Sequence, residues 1–444
     1  MAEAIEQTQI FVGREAALPE LLFGAPSRRL PQSRVRQVCS LAFVAVAGLA
    51  VRLALIQSAG YRDDIAIFEG WFRSIATLAP ADVYAGTPGL NYPPMVVLLY
   101  EFEALIMRPF LHGTPSPAAL TIAVKLPPIL ADAAGTVLVY AIVRRFAGHP
   151  WALLAAAFIA FNPAIIYDSA FWGQNDAIPT VLALFALYAL LSGNTVVAWL
   201  SMAAALFFKP PVLVLVPLLL AHPFRFTGAA RRGRLVATGY GIAGAALVAE
   251  LLASTFFEHP NLVVATRHLI GQYLVFSNVF PYTSLNAFNV WALGAPFFSS
   301  DGTKVLGLSL HLWSDAAFAI AAGCIYVRYL KSRSATGLLE AATLVLLAFF
   351  LLLTEMHERY LYYALFFAGT LVFKRPYGYA ALVLTATLLL NLEYGLTFMY
   401  LDDAKATMVD RFAFSPWLTR LCSLANIGMF GWLARERLSE SGRG

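Results

Sequence analysis

The sequence predicts an all-α polytopic membrane protein, and three observations carry that prediction. Of the 444 residues, 59% are hydrophobic and only 13% are charged, a balance that belongs to chains whose solvent is lipid. Apolar stretches recur from Leu41 to Leu433, and the long ones approach the ~20 residues that a helix needs to cross a bilayer. Alternating ten-residue strands, which a membrane barrel would require, do not occur in the sequence.

Charge sets the order of the elements. Basic clusters stand at Arg28-Arg29-Arg34-Arg36, Arg144-Arg145, Arg231-Arg232-Arg234, Arg328-Lys331-Arg333, Lys374-Arg375 and Arg435-Arg437, and the positive-inside rule assigns all of them to the cytoplasm. An even number of crossings then separates each cluster from the next. The first span, Val38 to Gln57, exits outward, and Ala119 to Val143 must return inward to place Arg144. Pro94 to Leu111, which carries Glu101, Glu103 and Arg108, is therefore expected to lie on the outer surface, as is the helix Ile65 to Leu78 before it. The remaining spans are Trp151–Tyr167, Ala177–Leu191, Val196–Phe208, Val212–Pro223, Val236–Thr255, Leu312–Tyr329, Leu338–Leu353, Tyr360–Phe373, Tyr379–Leu396 and Pro416–Leu433, making about twelve in all. The short pair meeting at Lys209-Pro210-Pro211 also fits a broken hairpin that reaches only partway.

The expected organisation is thus a membrane domain over 38–433, with a large first extracytoplasmic loop at 58–118 and cytoplasmic tails at 1–37 and 434–444. No small-residue cleavage site follows the first apolar stretch, so it reads as an anchor. Cys39, Cys324 and Cys422 are scattered without metal or redox spacing. The net charge of +5 is divided among separated clusters, which is no nucleic-acid signature. P-loop, dinucleotide, HExxH and serine-elbow motifs do not occur.

Ionisable groups near hydrocarbon are costly, and those that persist usually face a cavity or a partner. On the predicted topology they gather on the outer side. In YRDDIAIFEGW, Asp64, Phe68 and Trp71 share a helical face, placing a carboxylate beside an apolar wall where it gains the basicity of a general base. Asp63 or Asp64 serves equally as a helix cap. NYPP, Asn91 to Pro94, opens the second surface helix with proline in its first turn. In FNPAIIYDSAFWGQND, the residues Asp168, Trp172, Gln174, Asn175 and Asp176 crowd one turn. Amides and carboxylates beside an indole suit sugar recognition, and equally an interfacial turn with an aromatic anchor. Lys125 and Lys209 are single cations at span ends that either bind an anion or snorkel to headgroups. His357, Glu358 and Arg359 interrupt a long apolar run; an arginine there grips a phosphate bidentately and a histidine adds a donor, the alternative being a structural ion pair. Asp132 invites a partner on a neighbouring helix, and Asp402-Asp403 read as solvated loop.

Taken in order, DIAIFEGW (64–71), NYPP (91–94), KLPPILAD (125–132), NPAIIYDSAFWGQND (162–176), FFKPP (207–211), SLNAFNVW (284–291) and MHERYLY (356–362) resemble the GT-C class of membrane glycosyltransferases. The match is nearest to bacterial proteins related to the second GPI mannosyltransferase and, more distantly, to the glucosyltransferases that extend the dolichol-linked oligosaccharide. It covers about residues 38 to 373. The resemblance implies the GT-C fold and an inverting hexosyltransferase, mannose favoured, with glucosyl or pentosyl transfer as variants. Its donor is a polyprenyl-phosphate sugar, and its acceptor an extracytoplasmic glycan, glycolipid or protein. Asp64 matches the catalytic carboxylate. Asp63, Tyr92, Lys125, Trp172, Gln174, Asp176, Lys209, Asn289, His357, Glu358 and Arg359 fall at its substrate-binding positions, with Arg359, Lys209 and His357 set against the leaving phosphate. Pro211 departs from the pattern, where relatives often carry glutamine.

No resident cofactor is expected beyond a possible divalent cation near Asp63-Asp64, for which the sequence offers no full ligand set. The expected location is a bacterial inner membrane. A secondary transporter or flippase is the rival reading, against which stand the lack of an internal repeat and the clustering of ionisable residues at one surface.

Overall fold

The computed structural model describes residues 32–107, 115–257, 262–276, 280–399 and 416–439. Arg28, Arg29, Arg108, Asp402-Asp403, most of the predicted N-terminal tail and the last five residues of the C-terminal one lie outside the described residues. The fold is helical: α1 Gln32–Leu55, α2 Arg62–Ile75, α3 Pro94–Met107, α4 Pro117–Arg144, α5 His149–Phe161 and α6 Pro163–Trp172 are followed by α7 Ala177–Leu191, α8 Thr195–Phe208 and α9 Pro210–Arg225. Then come α10 Gly228–Phe256, α11 Leu262–Phe276, α12 Leu310–Lys331, α13 Gly337–Leu352, α14 Leu361–Gly369, α15 Arg375–Glu393 and α16 Pro416–Ser439. Among the described residues five helices are long and apolar enough to cross a membrane, namely α1, α4, α10, α12 and α15, and the bent pair α5–α6 makes a sixth. This is an all-α membrane protein.

Burial sorts the helices into shells. Beyond Glu340 in the first turn of α13, α13 and α14 are apolar nearly all round and buried almost throughout, as a central helix of a bundle must be. α1, α10 and α12 leave most of their apolar surface exposed, with Phe43, Tyr240, Leu247 and Ile320 pointing outward; such faces are at home in lipid. α2 and α3 form a separate layer, joined by a cluster of Phe68, Trp71, Phe72, Val97 and Tyr100 that also takes in Phe208 of α8 and Phe256 of α10.

Proline dictates the main departures from the sequence reading. The expected span Trp151–Tyr167 is two helices bent by 40°. Pro163 has no N–H for the carbonyl of Ile159, and the Asn162 carboxamide oxygen takes up the N–H groups of Ala164 and Ile165, starting a new helix. The expected crossing Val212–Pro223 is likewise broken: Pro210–Leu215 and His222–Arg225 are tight 3₁₀ turns around a short α-helical piece, Val216–Ala221. α11 was not foreseen, because Arg267 and His268 interrupt its apolar run. A hairpin, β1 Lys304–Val305 with β2 Leu308–Ser309, turns at Leu306 and Gly307, both at positive φ.

The helices whose ends meet in the candidate site have their opposite ends in polar or basic turns. α7 ends where Arg145 holds the Leu191 carbonyl. α13 begins where Glu340 binds Lys374 and Arg437. Arg225, closing α9, donates to the carbonyls of Ser332 and Ser334 ahead of α13.

Candidate active site

α6 ends in a widened π turn, Tyr167–Trp172, and Gly173 at φ 94° reverses the chain. That left-handed conformation suits glycine, and a Cβ there would also sit 2.9 Å from the Lys125 side chain. Lys125 is fully buried beneath this turn and donates to the carbonyls of Ser58, Ala170 and Phe171 and to the Ser58 hydroxyl. It thus ties the end of α1 to the end of α6, with its three N–H donors committed to protein oxygens.

The reversal aims Trp172 and Gln174 at α2. The indole Nε1–H donates to Asp64 Oδ2 at 3.0 Å and the Gln174 amide to the same oxygen at 2.6 Å. Trp172 is fully buried, and its ring meets Tyr61 and Tyr167 edge-on. Phe68 and Trp71, one and two turns along α2 from Asp64, are buried as its helical spacing predicts. Asp63 lies on the exposed flank and accepts from the Tyr61 hydroxyl at 2.9 Å.

A second group surrounds Asp176 at the start of α7. Lys209 Nζ lies 2.6 Å from its Oδ1, the Tyr363 hydroxyl donates to the same oxygen, and Arg359 Nε stands 3.6 Å from Oδ2. Arg359 also pairs with Glu358 at 2.7 Å. Lys209 further lies over the rings of Tyr360 at 5.3 Å and Tyr92 at 5.7 Å, and Tyr92 packs on Trp71 and Phe68, a cation–π box on one side of the ammonium.

The two groups adjoin. A Cβ on Gly395 would lie 3.3 Å from the Trp172 ring and 3.2 Å from Glu358, so both side chains rest on that bare backbone. Burial alone would lower the Arg359 guanidinium, but Glu358, Asp64 and Asp176 hold it well above its ordinary value. Burial pushes the Glu358 carboxyl up against the pull of Arg359. Burial, Arg359 and Lys209 together hold the His357 imidazole well below its usual range, leaving it neutral.

Asp64, Trp172, Gln174, Asp176, Lys209, Glu358, Arg359 and Tyr92 thus come together, with His357 at the edge, its ring between Phe280 and Tyr360. Asp63, Lys125 and Asn289 do not join them. Asn289 donates to the Phe350 carbonyl at 3.3 Å, fastening the 284–291 loop to the end of α13.

Sequence reasoning left out Tyr360 and Tyr363, although three tyrosines directly after Arg359 on an otherwise apolar helix are a legible signal. Asp168, seen in the crowded turn but left out of the site, is fully buried, and neither of its side-chain oxygens has a protein hydrogen-bond partner. The same holds for Gln174 Oε1, Glu358 Oε2 and His357 Nδ1. Buried polar atoms are nearly always satisfied, so unsatisfied atoms on the 167–176 and 357–360 turns suit a ligand rich in hydroxyls. Comparison with protein-family models and with curated proteins finds no match for the chain.

Proposed function

We propose that the chain is an inverting GT-C glycosyltransferase that moves a hexose, mannose by preference, from a polyprenyl-phosphate carrier to an extracytoplasmic acceptor. The proposal includes about twelve membrane crossings, some short or broken, with both termini cytoplasmic. The observation that carries it is Asp64: two N–H donors converge on its Oδ2, which orients the carboxylate and leaves Oδ1 to take up a proton. A general base needs that fixed geometry.

In the proposed step the acceptor hydroxyl gives its proton to Asp64 as its oxygen bonds to the anomeric carbon. The bond from that carbon to the phosphate oxygen breaks with its electron pair, and polyprenyl phosphate leaves. Arg359 and Lys209 meet the developing phosphate charge; Lys209 is now held by Asp176 and Arg359 by Glu358 and Asp176, so the phosphate has to compete with two carboxylates for two cations. The unsatisfied oxygens of Asp168, Gln174 and Glu358 accept from sugar hydroxyls, and the Trp172 indole supplies an apolar wall.

The test uses membranes or proteoliposomes supplied with polyprenyl-phosphate mannose or glucose. Asp64→Asn keeps the shape of the side chain but not its basicity, and it should lower turnover at least about a hundredfold. Undiminished turnover removes Asp64 as the base. A transporter is the second reading, favoured by the broken helices α5–α6 and α9; uptake of a polar solute by the same liposomes without glycosyl transfer would select it.

A further inference from the structure

Outside this site, three metal-ligating side chains from three separate segments converge on one point. Asp301 closes the loop that precedes the hairpin, His311 opens α12, and Glu355 follows α13. One ligand atom from each lies within 4.8 Å of the others. Asp301 Oδ2 is 3.2 Å from His311 Nδ1. Two ligands on a tetrahedral zinc, with bonds near 2.0–2.1 Å, stand about 3.3 Å apart, so this pair already has the required spacing. The backbone fixes all three: the Asp301 carbonyl accepts from the His311 N–H, the Asp301 N–H donates to Pro281, and the Glu355 N–H donates to Tyr282.

A second observation concerns the far side of the imidazole. Asp315, one turn along α12, places Oδ2 3.5 Å from His311 Nε2. Nδ1 itself lies 3.2 Å from both Asp301 Oδ2 and the Thr354 hydroxyl, and with an ion on Nδ1 Asp315 would hold the ring proton at Nε2, the outer arrangement that metal-bound histidines usually show. Asp301 is buried whereas the His311 side chain is 46% exposed, which gives an ion a way in. The Thr354 hydroxyl, 3.3 Å from Asp301 Oδ2, donates to the carboxylate and steadies it.

We propose that Asp301, His311 and Glu355 form a binding site for one divalent transition ion of the zinc type, with Asp315 positioning the histidine. The nitrogen ligand selects against calcium and magnesium, which take oxygen donors. The ion would pin the 280–303 loop and the start of α12 to the segment that leads, three residues later, into Glu358-Arg359. Its role is structural and does not depend on the glycosyl-transfer reading.

The test is metal binding by protein purified in detergent through a histidine-free tag, stripped with EDTA and titrated separately with ZnCl2, MnCl2 and CaCl2. The expected result is one zinc per chain, a higher melting temperature with ZnCl2, and weak or no response to CaCl2. His311→Ala should weaken zinc binding by about a hundredfold or more. Asp315→Asn, a half-exposed position that keeps all three ligands, should weaken it ten- to a hundredfold and decides the matter where a ligand variant fails to fold. Absence of stoichiometric zinc, zinc affinity unchanged in both variants, or calcium binding equal to zinc and indifferent to His311→Ala each overturns the proposal.

Discussion

Replacing Arg52 by methionine tests how the break between α5 and α6 is held. Arg52 lies on α1, 1% exposed. Its guanidinium donates to the carbonyls of Ile159 at 3.1 Å and Ala160 at 2.6 Å, the two that Pro163 and the Asn162 cap leave without helical partners, and its Nε pairs with Asp132 at 2.9 Å. Ser169 and Tyr362 also donate to Asp132. Removing one partner of such a buried pair costs about 3–5 kcal/mol, and each of the two orphaned carbonyls adds roughly 1 kcal/mol, so Arg52→Met should cost about 5–7 kcal/mol. Asp132→Asn keeps a polar acceptor and should cost roughly 2 kcal/mol. Because the two residues share one interaction, the double variant should be less destabilised than the sum by about 2 kcal/mol. Equilibrium unfolding in mixed micelles, followed by tryptophan fluorescence, measures all three. Additive costs within about 0.5 kcal/mol, or an Arg52→Met cost below about 1 kcal/mol, would refute the reasoning.

Gly173→Ala adds a Cβ at φ 94°, against Lys125. It should lower the melting temperature, with a strain of at least about 1–2 kcal/mol, and Lys125→Met should fail to rescue it, because the backbone strain remains and three carbonyls lose their donor. Glu103 gives a pH test. Burial pushes its carboxyl up to about 8 from 4.5. At low pH both states are protonated and the group is neutral to stability; as pH rises past about 4.5 the unfolded chain loses the proton first, so stability falls up to about pH 8. Glu103→Gln should therefore melt close to the wild type at pH 5 and clearly above it at pH 8.

Long apolar helices were legible because a bilayer demands them, and the limits of α7 match the sequence reading at both ends. The break at Asn162-Pro163 was available in the same letters, since an Asn-Pro pair combines a cap with a missing donor, but the apolar run around it drew the eye to a single span. Lys125 shows the deeper difficulty. A lone cation at the end of a span has the same appearance whether it meets a phosphate or three backbone carbonyls, and only the turn of α6 decides which. Arg52 was hidden for a related reason: its partners are carbonyls exposed by a proline more than a hundred residues away. The pairing of Asp64 with Trp172 and Gln174 is equally non-local, and composition suggested only that such groups belong on one side.

α7, α8 and α13 contain 15, 14 and 16 residues, so they rise only about 21–24 Å. The hydrocarbon layer is ~30 Å thick. α7 begins directly after Asp176, α8 ends directly before Lys209 and α13 ends shortly before Arg359, so under the proposed topology the shortfall of roughly 6–9 Å falls on the side of the polar cluster. On that proposed placement the charged cluster is countersunk. An amphiphile could slide its headgroup into that recess sideways, keeping its tail in lipid, whereas a water-soluble partner must descend from above; the two substrates of a transfer reaction would thus arrive along perpendicular routes.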